Sequence, residues 1–443
     1  MMQQILYKIK NNNLLHNLSL LATAILFWMM SIYYAGFLIW IAFVPVLYLN
    51  HSSKFSKSLV NSALFSAVSL LLTFYWLIYY NSNALILGML LYSSFFIFFL
   101  SLSKIFTKVI KYPWNILSIP LSWSMLQLIY SFSILGNYWT NLSVLQPMLA
   151  PLVWIITGYG ITFLILLVNS LVFFYFVKKD TKLIIFGGVL ILMLVSCFFY
   201  SYYSIPSGKN LRVALIQGNF PEDWSWRINN SGGEIFQRYK QLTLEAAKKN
   251  PDIIIWPEYA IPSDLNKNNQ LFNKLSELSK QSNSYLIFGS FEEIDYNNRS
   301  GEYKKDVAIV FSNNGSYIGK YESVKPNPLD WDIVAGQKHE TINLGNIKLG
   351  ISMCYEETQR DLNINHRKEG AKLLVSLANN QVFKNSVGLK LASLYTRLTA
   401  AENKMYVIRA TNTGITQIIN PYGKITAILK PNEPGFLISE VYI

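Results

Sequence analysis

The sequence predicts a multi-span α-helical membrane domain followed by a single α/β domain, and three observations carry that prediction. Long uncharged stretches fill the first half: no Asp, Glu, Lys or Arg occurs between Lys10 and Lys54, between Lys57 and Lys104, or between Lys111 and Lys178. Hydrophobic residues make up 52% of the 443-residue chain and charged ones only 14%, so these stretches cannot be a soluble surface. From about residue 210 onward the pattern changes to short apolar strands interleaved with amphipathic helices.

A membrane helix takes ~20 residues. On that length the uncharged stretches divide into segments at 16–32, 34–50, 60–80, 84–104, 114–134, 152–176 and 183–203, about seven transmembrane helices in a domain covering 1–205. Lysines then fall in alternate connections. Lys8 and Lys10 precede the first segment, Lys54 and Lys57 follow the second, Lys104, Lys108 and Lys111 the fourth, and Lys178, Lys179 and Lys182 the sixth. Short cytoplasmic loops collect such charge, which places the N-terminus inside and, with an odd number of spans, everything after about Tyr203 outside. The first apolar segment runs into the second without a small-residue cleavage site, so it reads as a span and not as a signal peptide.

The formal net charge of +13 is not a nucleic-acid signature here. Loop lysines account for much of it, and the remainder suits anionic lipid headgroups. No zinc-finger spacing, P-loop or G-x-G-x-x-G fingerprint occurs, so no cofactor, metal or nucleic-acid partner is expected. The four histidines, His16, His51, His339 and His366, are scattered.

Residues 210–443 read as one α/β domain able to bury its own core. Strands are expected at 212–217, 252–256, 285–290, 307–311, 317–321, 347–353, 372–377, 405–410, 416–420, 425–429 and 435–441, with hairpin turns at Asn313-Asn314-Gly315 and Pro421-Tyr422-Gly423. Helices are expected at 233–249, 269–281 and 386–403, with a further helical run from Glu356 to Arg367.

Three strand ends stand out within this domain. Ile347 to Met353 alternates as a buried strand and delivers Cys354 to a strand-to-helix junction, where a thiol meets unpaired backbone N–H groups. The chain has two cysteines and Cys197 lies in the seventh apolar segment, so Cys354 is the only thiol of the outer domain. The apolar strand Ile253 to Trp256 ends on Pro257 and presents Glu258 just past its end, and Lys320 sits near the end of the second strand of a hairpin. Taken singly these are a buried cysteine, a loop acid and a solvated lysine. Together they make a device in which the carboxylate takes the thiol proton, the ammonium supports the thiolate and an oxyanion, and the thiolate attacks a carbonyl.

The outer domain resembles the carbon–nitrogen hydrolase (nitrilase) superfamily, and with its membrane domain the chain is similar to the bacterial apolipoprotein N-acyltransferase family. The resemblance rests on Gln217-Gly218-Asn219 with Trp226, on Trp256-Pro257-Glu258, on Cys354-Tyr355-Glu356 and on Arg409 to Gly414. In the first half it rests on Leu135-Gly136-Asn137-Tyr138-Trp139 and Gly158-Tyr159-Gly160. It implies a nitrilase-like α-β-β-α sandwich over 210–443, with Glu258 as base, Lys320 as oxyanion helper, Cys354 as nucleophile, and Tyr355, Glu356 and Trp226 supporting substrate. The implied reaction is N-acyl transfer. A membrane phospholipid gives its acyl chain to Cys354 as a thioester, and the α-amino group of a diacylglyceryl lipoprotein's N-terminal cysteine collects it. That places the chain in a bacterial inner membrane, with the catalytic domain periplasmic. Trp224 and Trp226 suit either an interfacial position or the domain core.

The family pattern is not met everywhere. The usual Leu-Val-Pro-Phe-Gly-Glu-like stretch after the catalytic lysine is replaced by Val324 to Asp332, which leaves Asp330 or Asp332 to stand for its glutamate. Gln381-Val382-Phe383 replaces a Trp-Phe pair, and a strand at Ile443 stands where a further membrane helix is common. A membrane-tethered amidase using the same three residues, and a catalytically silent lipid or lipoprotein binder, are the alternative readings.

Overall fold

The computed structural model describes residues 13–32, 35–80, 82–132, 140–296 and 299–443. The chain divides into two compact units, one holding the residues up to Tyr200 together with Asn385–Leu394, the other holding Ser201–Lys384 and Tyr395–Ile443.

The first unit is helical, with α1 (Asn13–Ile32), α2 (Val44–Ser52), α3 (Phe55–Phe74), α4 (Ser82–Val109), α5 (Ser118–Tyr130), α6 (Ala150–Lys178) and α7 (Lys182–Tyr203), the last turn of α7 running into the second unit. Over the described residues, helix occupies each segment expected from the uncharged stretches. Four of these helices, α3, α4, α6 and α7, are long and apolar enough to cross a membrane, and shorter apolar helices accompany them. Trp123 is the centre of their packing, meeting Phe43, Phe95, Phe96 and Phe99 edge-on at centroid distances of 4.8–5.8 Å. The buried Asn169 accepts from Phe43 N and donates to Ile39 O, both at 2.9 Å, supplying partners to backbone that apolar surroundings cannot satisfy.

One lysine is not where the uncharged stretches suggested. α4 continues past residue 104, and Lys104 is 3% exposed, donating to Asn50 O at 2.8 Å and Ser53 O at 2.6 Å. It caps the C-terminal carbonyls of α2, leaving Lys108 and Lys111 to mark that connection. The Leu135–Trp139 motif lies outside the described residues, while Gly158-Tyr159-Gly160 follows a break in α6 at Thr157, where φ is 63°.

The second unit is two six-stranded sheets. One runs β12-β1-β2-β3-β4-β5 and the other β11-β10-β9-β8-β7-β6. The strands are β1 (Asn210–Gln217), β2 (Ile253–Ile255), β3 (Tyr285–Tyr296), β4 (Arg299–Phe311), β5 (Tyr317–Glu322), β6 (Ile342–Leu344), β7 (Ile347–Met353), β8 (Leu373–Ala378), β9 (Tyr406–Thr411), β10 (Gln417–Ile419), β11 (Ile425–Ile428) and β12 (Gly435–Tyr442). The helices are α8 (Phe236–Ala247), α9 (Asn269–Ser282), α10 (Arg360–Lys368) and, from Tyr395 onward, the second half of α11 (Val387–Asn403).

Alternate residues of β1–β4 face β7–β10, with Leu215, Ile255, Ile287 and Val310 against Ile351, Val375 and Ile408. The intervening residues, among them Ile216, Ile254, Phe288 and Ile309, pack against α8 and α9. The strand period of two thus builds a core between the sheets and another beneath the helices. Two expectations differ. β3 and β4 extend well beyond 290 and 307 because Glu292, Glu293, Lys304 and Lys305 continue the pairing with charged side chains. The run after Cys354 splits into a tight turn, Cys354–Thr358, and then α10.

Candidate active site

The ends of β2 and β7 bring Glu258 and Cys354 together. Pro257 has no N–H with which to extend the β2 ladder. Trp256 N still donates to Ile287 O at 2.8 Å, and Glu258 follows, 6% exposed. β3 must carry glycine where this segment crosses it, since a Cβ on Gly289 would stand 2.6 Å from Glu258 Cα. At the other strand end Cys354 takes a left-handed φ of 46° and turns the chain into the short helix Cys354–Thr358. Its thiol lies beside Glu258, close enough for each to act on the other's ionisation.

Glu258 also accepts Asn379 N–H at 2.8 Å and lies beside the Asp306 carboxyl. Desolvation is the main reason its pKa is pushed up to about 7, with the neighbouring Asp306 and Cys354 groups pulling it back. Asp306 is 5% exposed, and desolvation followed by the Glu258 charge holds it well above the usual carboxylate range. Two carboxyls so placed share a proton. Desolvation, then the charges of Glu258, Glu357, Asp330 and Asp306, raise the Cys354 thiol well above its ordinary value. The resting group is therefore a protonated thiol beside its base.

Lys320 does not join this group, contrary to the expectation from sequence. Its register partner is Ile309, on the helix side of the sheet, where it pairs with Glu292 and, at 3.0 Å, with Glu322. Tyr321, one residue on, is the side chain that faces the second sheet. The lysine on the site side is Lys304, two residues from Asp306 on the same face of β4. It pairs with Asp332 at 2.9 Å and lies 4.6 Å from the Trp224 ring and 5.9 Å from Tyr259. Of the two aspartates that could stand for the family's glutamate, Asp330 acts on Glu258, Cys354 and Asp306, whereas Asp332 is taken by Lys304.

Glu356 is fully buried and accepts from four donors: Val324 N at 2.7 Å, Lys325 N at 2.9 Å, Met353 N at 2.8 Å, and the Tyr321 hydroxyl, which lies 3.1 and 3.0 Å from its two oxygens. It ties the 324–325 loop to the strand that carries Cys354. Tyr355 is partly exposed beside the nucleophile. Trp226 packs with Phe220 at a centroid distance of 6.3 Å, against the helix-side core. The tryptophan that reaches the site is Trp224, 5.1 Å from the Tyr259 ring.

Two buried cations were given no role from the sequence, although Arg409 opens one of the blocks quoted there. Arg409, fully buried, forms a bidentate pair with Glu357 at 2.8 and 2.9 Å, and Ser376 adds a third bond to that carboxylate at 2.7 Å. Arg227, 1% exposed, donates to Tyr259 O at 2.5 Å and feels the Glu258 charge. The blocks at 217–219 and 409–414 meet each other: Asn219 N donates to Asn412 O at 2.8 Å and Thr416 Oγ1 to Gln217 Oε1 at 2.8 Å. They are clamps for the site loops.

Residues 212–442 match the carbon-nitrogen hydrolase family, and residues 22–171 match the apolipoprotein N-acyltransferase N-terminal domain. The apolipoprotein N-acyltransferase of Geobacter metallireducens is 27% identical, covering 74% of this chain and 68% of that protein. That of Wigglesworthia glossinidia brevipalpis is 26% identical, over 78% and 72%, and apolipoprotein N-acyltransferase 1 of Treponema denticola is 23% identical, over 92% and 86%. Among solved structures, an amidase from Nesterenkonia sp. with a covalent adduct at its active-site cysteine gives a TM-score of 0.43 at 16% identity, covering 54% of this chain and 93% of that one. The C. elegans NitFhit protein gives 0.43 at 18% identity, over 54% and 62%. The fold and the Glu258–Cys354 pair thus sit in a chain that belongs to the carbon–nitrogen hydrolase family. Within that family it belongs to the apolipoprotein N-acyltransferases.

Proposed function

We propose that this acyltransferase moves an acyl chain from a membrane phospholipid, through a thioester on Cys354, to the α-amino group of a lipoprotein's lipidated N-terminal cysteine. The placement of Cys354 and Glu258 beside each other at two strand ends, each acting on the other's ionisation, is the observation that carries the mechanism. As Sγ attacks the ester carbonyl, Glu258 takes the thiol proton. The C–S bond forms, the ester C–O bond breaks, and Glu258 returns the proton to the departing lysophospholipid oxygen. The acceptor amine then attacks the thioester, Glu258 removes its proton, the amide forms, and that proton goes back to the sulfur. Because carboxylates dominate around the sulfur, thiolate does not accumulate and proton transfer accompanies attack. Asp306 holds the second carboxyl position and shares its proton with Glu258. Lys304 and Arg227 are the cations placed for the role that sequence pattern assigned to Lys320, and Asp330 opposes negative charge on Glu258 and Cys354.

The transmembrane reading has seven spans over 1–205, an inside N-terminus, and a catalytic domain over 210–443 on the outer face of the inner membrane. Both lipid substrates are anchored in one leaflet, so a domain resting on that surface need not extract either. Withdrawing an acyl chain into water costs ~0.8 kcal/mol per CH₂. The test is incubation of the purified full chain with labelled phospholipid. Wild type is expected to carry a hydroxylamine-sensitive acyl group that a diacylated lipopeptide discharges faster than water does, and Cys354→Ala to carry none. An adduct cleared equally fast by water would make the protein a hydrolase. Acyl transfer without any adduct would end the covalent mechanism.

A further inference from the structure

The scattered histidines of the sequence do not stay scattered. His339, in the loop before β6, and His366, in the last turn of α10, stack with ring centroids 4.0 Å apart and planes inclined by 37°. His339 Nδ1 is 2.8 Å from Glu369 Oε1. A carboxylate only accepts, so this nitrogen carries a proton, and in the neutral ring Nε2 has the lone pair. His366 Nε2 is 2.8 Å from Ile351 O, which also only accepts, so here Nδ1 keeps the lone pair. Both remaining nitrogens, His339 Nε2 and His366 Nδ1, are buried without a hydrogen-bond partner.

That is an unusual expense for a protein interior, where buried polar atoms are nearly always paired. His366 is fully buried. Close approach to β7 is built in, since a Cβ on Gly350 would stand 2.7 Å from His366 Cβ. Imidazoles that bind metal characteristically donate the other ring N–H to a carboxylate or a backbone carbonyl, which fixes the tautomer and aims the free nitrogen. Glu369 and Ile351 do this for the two rings. Ligand atoms of His339, His366 and Glu369 lie within 4.8 Å of one another, the one such group among the described residues.

We propose that His339 Nε2 and His366 Nδ1 bind one divalent transition-metal ion of the zinc class, with Glu369 orienting His339 and water completing the coordination. Imidazole nitrogens with a neighbouring carboxylate suit zinc and exclude magnesium and calcium, which take oxygen sets. The site is separate from the Cys354 chemistry. The His366 ring stands 6.0 Å from that of Tyr321, whose hydroxyl bonds to Glu356, so the ion would staple the 339 loop to α10 behind the strand that carries the nucleophile.

The experiment uses the full chain in detergent, free of any histidine tag, stripped with chelator and titrated with Zn²⁺ by calorimetry, then with Co²⁺ by visible absorption. One equivalent of Zn²⁺ is expected, with a rise in melting temperature and a cobalt spectrum of nitrogen–oxygen coordination. Mg²⁺ should give neither. His339→Ala, whose side chain is only partly buried, should fold and lose the binding. Glu369→Gln should weaken it by roughly 10–100-fold. Equal Zn²⁺ uptake by wild type and His339→Ala, or no uptake by folded wild type, would overturn the proposal.

Discussion

Lys320 and Tyr321 are neighbours in β5 and leave it on opposite faces, the lysine toward Glu292 and Glu322, the tyrosine toward Glu356. No rotamer brings the Lys320 ammonium through the sheet to Cys354. Lys320→Met should therefore keep near-wild-type turnover, while Lys304→Met should lower it by on the order of 10²-fold, as removal of an electrostatic stabiliser does. Comparing the two variants in one lipopeptide assay decides between the lysines. A dead Lys320→Met would restore the sequence-based triad.

Glu258 makes activity and stability run in opposite directions with pH. Its folded pKa of about 7 lies above the unfolded value of ~4.3. The native state thus holds a proton that the unfolded chain has lost, and stability falls as pH rises between those values. Activity needs the base form and rises through about pH 7. Glu258→Gln should cost ~10²–10⁴-fold in turnover and yet melt higher than wild type at pH 8. Scanning calorimetry beside the activity assay checks both halves.

Asp306 should govern the alkaline side. Once it loses its proton, two facing carboxylates repel, and the pH–rate profile of wild type should bend down. Asp306→Asn keeps a hydrogen-bond donor beside Glu258 and cannot ionise, so its profile should stay flat above the Glu258 limb. A profile that bends equally in both proteins would remove Asp306 from the proton account.

Glu356 serves position more than chemistry. Glu356→Ala would take the shared acceptor from the part-buried N–H groups of Val324 and Lys325 and the buried one of Met353, at a cost of about 3 kcal/mol. For a domain of this size that is a drop of roughly 6–12 °C in melting temperature. A variant melting like wild type would show that water takes over all three bonds.

Topology is decided by labelling. In a background lacking both native cysteines, a cysteine replacing the exposed Lys338 should react with an impermeant maleimide added to intact spheroplasts, and one replacing the exposed Lys108 should not. The reverse pattern would invert the membrane arrangement.

Strand and helix positions were largely legible because the second unit keeps strict alternation, as in Ile347 to Met353. β6 was missed because three residues are too short for periodicity to register. Cys354 and Glu258 were readable as strand ends. Lys320 was misplaced because sequence adjacency does not say which face of a strand a side chain takes, and parity with Ile309 does. Asp306, Arg227, Glu357 and Arg409 all lie within strands or helices, where nothing local announces their pairing, and tertiary packing alone gives them partners. The histidine pair is likewise invisible until β7 and α10 are in place.

The ring of carboxylates around Cys354 has a consequence for its chemical survival. Small thiols and disulfides that exchange with protein cysteines do so through thiolates, and most of them are anions. Approaching a protonated sulfur ringed by Glu258, Glu357, Asp330 and Asp306, such reagents meet a poor nucleophile behind a repulsive field. A neutral ester or a cationic amine meets no such barrier. The same acids that delay ionisation should make this cysteine durable in an oxidising milieu, its reactivity reserved for partners that bring no negative charge to the sulfur.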